Sequence, residues 1–202
     1  MRSQANLKIV GLLLAAGSAT RFGSDKLRHP LPHGVSIAVQ AARHLKLEIS
    51  RVVAVVRPDS TELVSSLKSE GCEVVVCDNA AEGMGASLAC AARAAARLHP
   101  NADGYLVALG DMPFVRRTSI AAVRDALAAG APLAAPYWRA RRGHPVALSG
   151  KFLQQLLALK GDEGAKQLIA ANERVLVKIP VGDPGVIRDI DTPDDLAPPL
   201  RI

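Results

Sequence analysis

A chain of 202 residues with 49% hydrophobic and 22% charged residues lies near the averages for soluble globular proteins, which excludes a fibrous repeat or a disordered chain. Its longest apolar stretch, Ile9 to Ala16, falls far short of the ~20 residues that cross a bilayer, so no membrane span is expected. The net charge of +6 is scattered apart from Arg139, Arg141 and Arg142, and at 3% aromatics there is no base-stacking platform; this argues against nucleic acid and for a polyphosphate ligand.

Taken in chain order, apolar β-branched runs alternate with Ala-rich helical patterns. Strands are expected at Lys8 to Leu14, Arg51 to Val56, Glu73 to Cys77 and Tyr105 to Leu109, with helices between them at Ile37 to Leu45, Thr61 to Glu70 and Ala86 to Leu98. A helix from Thr118 to Ala129 and a short strand at Leu133 to Ala135 follow. Beyond them come an edge strand at Pro145 to Leu148, helices at Lys151 to Leu159 and Ala165 to Ala171, and a strand at Val175 to Ile179. The alternation predicts an α/β protein: a three-layer, mostly parallel Rossmann-like sheet flanked by helices. No Gly/Ser/Pro-rich linker divides it, so one domain over residues 1–202 is expected. Cys72, Cys77 and Cys90 form no Cys-x-x-Cys pair and read as buried thiols. The apolar N-terminal run leads into Gly17, Arg21, Asp25 and Lys26 rather than a cleavage site, so a cytoplasmic location is expected.

In open α/β sheets ligands bind beyond the carboxyl ends of the strands. The loop after the first strand, Leu14-Ala15-Ala16-Gly17 with Arg21, Gly23, Asp25 and Lys26, combines small residues with two cations, a combination suited to a triphosphate. It contains neither Gly-Lys-Ser/Thr nor Gly-x-Gly-x-x-Gly. Local pattern alone also allows a plain glycine-containing connection with two solvated basic side chains.

Asp111, in Gly110-Asp111-Met112-Pro113, follows an apolar strand and offers the hard oxygen that Mg²⁺ prefers. Asp191, in Ile190-Asp191-Thr192-Pro193-Asp194-Asp195, is either a second such ligand or the cap of an acidic helix start. Gly83, Gly85 and Ser87 sit where the Ala-rich helix begins, an anion-friendly geometry in which Ser87 is equally a cap. His144, in Gly143-His144-Pro145, follows Arg139, Arg141 and Arg142. That stretch is either a site for an acceptor phosphate or a solvated loop with a structural histidine. His29, His33, His44 and His99 lack metal-ligand spacing, and there is no Gly-x-Ser-x-Gly elbow.

The loop Leu14-Ala15-Ala16-Gly17, Arg21, Gly23, Asp25-Lys26 resembles the signature of the nucleotidyltransferases that mature the molybdenum cofactor, the molybdopterin cytidylyltransferases and their guanylyl-transferring relatives. Gly-Met-Gly-x-Ser-Leu at Gly83 to Leu88, Gly-Asp-x-Pro at Gly110, Gly-His-Pro at Gly143, Gly-Asp-x-Gly-Ala at Gly161 and Ile-Asp-Thr-Pro-x-Asp at Ile190 extend the likeness to Asp195. The resemblance implies a fold of the nucleotide-diphospho-sugar transferase type and Mg²⁺ as cofactor. It further implies catalytic roles for Arg21, Lys26 and Asp111, and metal ligation by Asp111 and Asp191. Nucleotide contacts would come from Leu14, Ala15, Ala16, Gly17, Gly85 and Ser87, acceptor contacts from His144 and Arg142. Asp162 would cap the following helix.

The implied reaction is attack of a molybdopterin-type phosphate on the α-phosphorus of a nucleoside triphosphate, with pyrophosphate leaving and a molybdenum hydroxylase as eventual partner. Ala15-Ala16 leans toward CTP, since guanylyl-transferring relatives more often have Ala-Gly there. The segment Arg28 to Ile37 departs from the family's Leu-rich stretch ending in Gly-x-Pro-Leu, which puts the acceptor in question. Alternatives are a guanylyl- or sugar-phosphate nucleotidyltransferase, or a non-catalytic accessory protein for hydroxylase maturation.

Overall fold

The structure, a computed structural model, describes residues 7–17, 25–162 and 164–196. Its centre is a mixed sheet with β1 (Ile9–Ala15), β2 (Arg51–Val56), β3 (Glu73–Val76), β4 (Gly104–Leu109), β5 (Leu133–Trp138), β6 (Arg141–Arg142), β7 (Val146–Ser149) and β8 (Leu176–Pro180). The strand order is β3-β2-β1-β4-β7-β5-β6, with β8 paired to β5. Strands β3, β2, β1 and β4 are mutually parallel, as is the β5–β8 pair, while β7 runs antiparallel to both β4 and β5.

Helices α1 (Ile37–Glu48), α2 (Thr61–Ser69) and α4 (Arg117–Ala128) cover one face. The other is covered by α3 (Met84–Leu98), α5 (Leu153–Leu157) and α6 (Lys166–Ala171). The alternation within β1 shows why the run is apolar throughout: Leu13 and Ala15 join the α1 side, whereas Val10, Leu12 and Leu14 join the α3 side. With both faces covered, every side chain of that strand is buried. On α3 the alanines at 91, 92 and 95 lie fully against the sheet; their small size lets helix and strand approach closely without aromatics.

Two elements differ from expectation. The segment read as an edge strand, β7, lies inside the sheet, hydrogen-bonded to β4 on one side and β5 on the other. Pro145 precedes its first paired residue, so the missing N–H costs no ladder bond, and Val146, Ala147 and Leu148 are wholly buried. The expected Lys151–Leu159 helix is instead a 3₁₀ turn, Gly150–Phe152, leading into the short α5.

The sheet order reverses direction at β1, whose neighbours are β2 and β4. A crevice therefore opens beyond the carboxyl ends of β1 and β4, where the connecting segments leave toward opposite faces.

Candidate active site

The crevice holds a cavity of about 460 Å³, within the usual range for small-molecule sites. The end of β1 contributes Leu14, Ala16 and Gly17 to its walls, Arg57 follows β2, and Gly83, Met84 and Ser87 come from the start of α3. Leu109 and Asp111 follow β4, and Lys26 enters from a 3₁₀ turn, Lys26–Arg28. Pairing of Leu14 with Leu109 brings the two strand ends level, and the Gly110 N–H donates to the Leu14 carbonyl at 2.8 Å. Gly110, which leads into Asp111, is thereby fixed against Leu14 and Ala15. Ala15 itself faces the α1 core and does not line the cavity.

Lys26 is the hub. Its buried ammonium donates to Asp111 Oδ2 at 3.0 Å and to Asp191 Oδ1 at 3.1 Å. Asp191 reaches this point because the Ile190 N–H donates to the Asp111 carbonyl at 2.9 Å, laying residues 190–191 along the end of β4. Burial depresses the basicity of Lys26, but Asp111 and Asp191 together hold its proton affinity above the usual lysine value. Burial raises the Asp111 carboxyl above its ordinary range; Lys26 pulls it back, and Asp189 adds to the rise.

The turn after Asp191 has a capping carboxylate of its own. Asp195 caps this turn: its carboxylate accepts from the Asp191 N–H at 3.2 Å, the Thr192 N–H at 2.9 Å and the Thr192 hydroxyl at 2.9 Å. Those bonds hold the Asp195 carboxyl below its usual range. The Asp191 carboxylate accepts from Lys26.

Asp189 is a third acid that motif reading passed over. Oxygens of Asp111, Asp189 and Asp191 all lie within 4.8 Å of one another. The Asp189-Ile190-Asp191 pattern carries the signal: in an extended segment, residues two apart face the same side, with Ile190 buried opposite. Three carboxylate oxygens converging on one point are the hard donor set that Mg²⁺ or Mn²⁺ takes, so these residues fit a divalent cation. Lys26 provides the positive charge between two of them in this structure.

Segment 183–191 is anchored from behind. The buried Asp183 carboxylate accepts from the Arg116 N–H at 2.8 Å, the Ser119 hydroxyl at 2.7 Å and the Gly185 N–H at 3.0 Å. It ties the approach to Asp189 and Asp191 onto α4.

Other expected site residues are placed differently. Arg21 and Gly23 lie outside the described residues. Gly85 turns away from the cavity: its N–H donates to the Gly161 carbonyl at 2.6 Å, and a Cβ there would stand 2.5 Å from the Lys160 carbonyl oxygen. It is a close-packing glycine, and its neighbour Ser87 lines the cavity instead.

His144 lies behind the strand ends, near His44, Leu45, Ala108 and Ile120. Its N–H donates to the Val186 carbonyl at 2.7 Å, the following peptide to Pro145 is cis, and Nδ1 has no hydrogen-bond partner. Burial, more than offsetting a backbone contact at Val107, drives its pKa down to about 4, so the ring is neutral and acts as core. Arg142 sits in β6, paired with Tyr137 across a tight turn at Arg139 and Ala140, whose φ of 46° and 63° are both positive. Arg139 stacks on Trp138 at 4.5 Å. This hairpin is away from the cavity walls.

Sequence reading passed over Arg57 and took Asp162 for a cap of the following helix; both line the cavity, and α6 has Ala165, not Asp162, at its cap position. Arg57 follows an apolar strand directly, a position that invited attention; its guanidinium is paired to Asp59, with Nε to Oδ1 at 3.0 Å.

Fold and site together define an α/β protein with a cavity and a cluster of acidic residues at the sheet's switch point. The model of the MobA-like NTP transferase domain matches residues 11–175, and the chain belongs to that family, with the nucleotide-diphospho-sugar transferase fold. It is 28% identical over 197 residues, 93% of each chain, to purine catabolism protein PucB of Bacillus subtilis. Rv0371c of Mycobacterium tuberculosis superposes with a TM-score of 0.79 at 27% identity, covering 94% of this chain and 95% of that one. A structure of Rv0371c in complex with manganese matches with a TM-score of 0.76 at 25% identity, covering 93% and 95%. Among the described residues no helix is long and apolar enough to cross a membrane.

Proposed function

We propose that the protein transfers CMP from CTP to molybdenum-loaded molybdopterin and releases pyrophosphate. The observation that carries this reading is the Lys26–Asp111–Asp191 cluster, of which Lys26 and Asp111 line the cavity: carboxylates that would hold a divalent cation stand beside an ammonium that would bind phosphate. On the resemblance already described the Ala15-Ala16 pair leans toward cytidine, Ala16 being the one of the two that lines the cavity, and that same resemblance supplies the acceptor.

Asp111 and Asp191, with Asp189 beside them, would hold Mg²⁺. When bound, the metal supplies charge stabilisation at the reacting phosphate. Lys26, released from one carboxylate, neutralises the departing pyrophosphate, aided by Arg21 from the same loop. Leu14, Ala16, Gly17 and Ser87 form the nucleotide wall, whose packing orients the α-phosphorus for in-line attack. No covalent enzyme intermediate is required.

A second reading, an accessory protein that binds the pterin cofactor beside a molybdenum hydroxylase without turnover, is favoured by the Bacillus subtilis relative's name in purine catabolism. Pyrophosphate release with Mg²⁺, molybdenum-loaded pterin and each of CTP, GTP, ATP and UTP separates the two. Release with CTP alone, lowered at least about 10³-fold in Asp111→Asn, supports transfer. Release with GTP alone would reassign the base, and pterin binding without release from any triphosphate would sink catalysis.

A further inference from the structure

We propose that Asp162 reads the nucleoside half of the triphosphate, accepting a hydrogen bond from a neutral donor, either a ribose hydroxyl or the exocyclic amine of the base. The assignment rests on the nucleotidyltransferase reading and goes beyond it, since that reading gives Asp162 no part in the chemistry.

The turn that carries Asp162 is built into the cavity wall by backbone alone. The Gly161 carbonyl accepts from the Gly85 N–H at 2.6 Å, docking the turn on the first residues of α3. Gly83, with φ of +124°, leaves the room that Asp162 fills, because a Cβ there would collide with the Asp162 carboxylate and with the backbone of the turn. The carboxylate therefore stands at the cavity wall beside Gly83, Met84 and Ser87.

Charge decides what it faces. Among the described residues the cations of this cavity are Lys26 and Arg57, the first held by Asp111 and Asp191 and the second by Asp59. Asp162 has no hydrogen bond or ion pair among the described residues. An unneutralised carboxylate repels the polyphosphate, so the phosphates lie toward Lys26 and the Asp162 end receives the uncharged part of the nucleotide. There a carboxylate is an acceptor-only group, matched to hydroxyl or amine donors.

The test is calorimetric binding, with Mg²⁺ and without acceptor, of CTP, 2′-deoxy-CTP and UTP to the full chain and to Asp162→Ala and Asp162→Asn. Loss of a charge-assisted hydrogen bond predicts CTP binding weaker by about tenfold to a hundredfold in Asp162→Ala. The wild type should also discriminate against one analogue, and the variant should lose that discrimination. Equalised CTP and 2′-deoxy-CTP identify the ribose; equalised CTP and UTP identify the base amine. Asp162→Asn, which keeps the side-chain size, should fall between. Unchanged CTP affinity in Asp162→Ala, or uniform weakening with the wild-type discrimination retained, overturns the assignment while leaving the nucleotidyltransferase reading intact. A wild-type chain that binds no triphosphate removes both.

Discussion

Replacing His144 with leucine tests the placement of this ring in the core through the pH dependence of folding. In the unfolded chain the imidazole titrates near its ordinary 6.5, whereas burial lowers the folded value to about 4. A group whose folded proton affinity is depressed favours folding while neutral. Its contribution is fully present above pH 6.5 and is lost as the pH falls through about 4, because the unfolded chain binds the proton first.

The interval from 6.5 to about 4, at about 1.36 kcal/mol per tenfold change in proton affinity, corresponds to about 3 kcal/mol, most of which is already gone at pH 4.5. His44 is also held below its ordinary value by burial, so the wild-type curve by itself mixes two histidines. The difference between wild type and His144→Leu isolates one of them. The assay is guanidinium unfolding at pH 7.5 and 4.5. The wild type should lose about 2–3 kcal/mol more than the variant on acidification. Parallel losses within about 0.5 kcal/mol would refute the burial of a neutral His144 and return it to the acceptor side.

Lys26→Met removes the cation between Asp111 and Asp191 and should destabilise the metal-free protein by about 3 kcal/mol, or about 6–12 °C in melting temperature. Millimolar Mg²⁺ should recover part of that loss, as measured by differential scanning calorimetry; no loss in the metal-free state would show that the lysine is not the counter-charge. In the wild type the raised proton affinity of Lys26 means its contribution persists below the ordinary lysine value of 10.5 and is lost as the pH rises through the higher folded value. Gly85→Ala drives a methyl into the Lys160 carbonyl and should cost about 1–3 kcal/mol while weakening triphosphate binding, because the turn bearing Asp162 must move. Asp183→Ala leaves the buried Ser119 hydroxyl and the Arg116 N–H unpaired and should cost about 2–4 kcal/mol; urea unfolding reads the loss, and unaltered metal affinity would show that the anchor does not govern Asp191.

Much of this molecule follows from local pattern. Strand β2 spans Arg51–Val56 as expected, and α1, α2 and α4 begin within a residue of their predicted starts, because apolar period and flanking polar residues are properties of a short window. The same locality explains the misplacement of β7. An apolar run opened by proline has the appearance of an edge, and only pairing on both sides shows otherwise.

At the site, Gly-Asp after an apolar strand marked Asp111 from the sequence, since strand ends point into the crevice of any such sheet. The local pattern at Asp191 favoured a cap over a ligand; that the carboxylate of Asp195 reaches back to the Asp191 and Thr192 N–H groups is something no spacing rule states. His144 and Gly85 looked like site residues because motif membership does not say which way a residue faces.

What the sequence by itself determined was the order of strands and helices, the apolar faces they bury, and the small-residue loop with its nearby cations. The tertiary structure alone decided that Lys26, Asp111 and Asp191 meet across separations of 85 and 165 positions, that Asp189 joins them, and that Arg57 and Asp162 share their cavity. The reason is physical: periodicity records which side of an element is buried, but strand order and the Ile190-to-Asp111 backbone bond that brings the carboxylates together arise from packing between segments far apart in the chain.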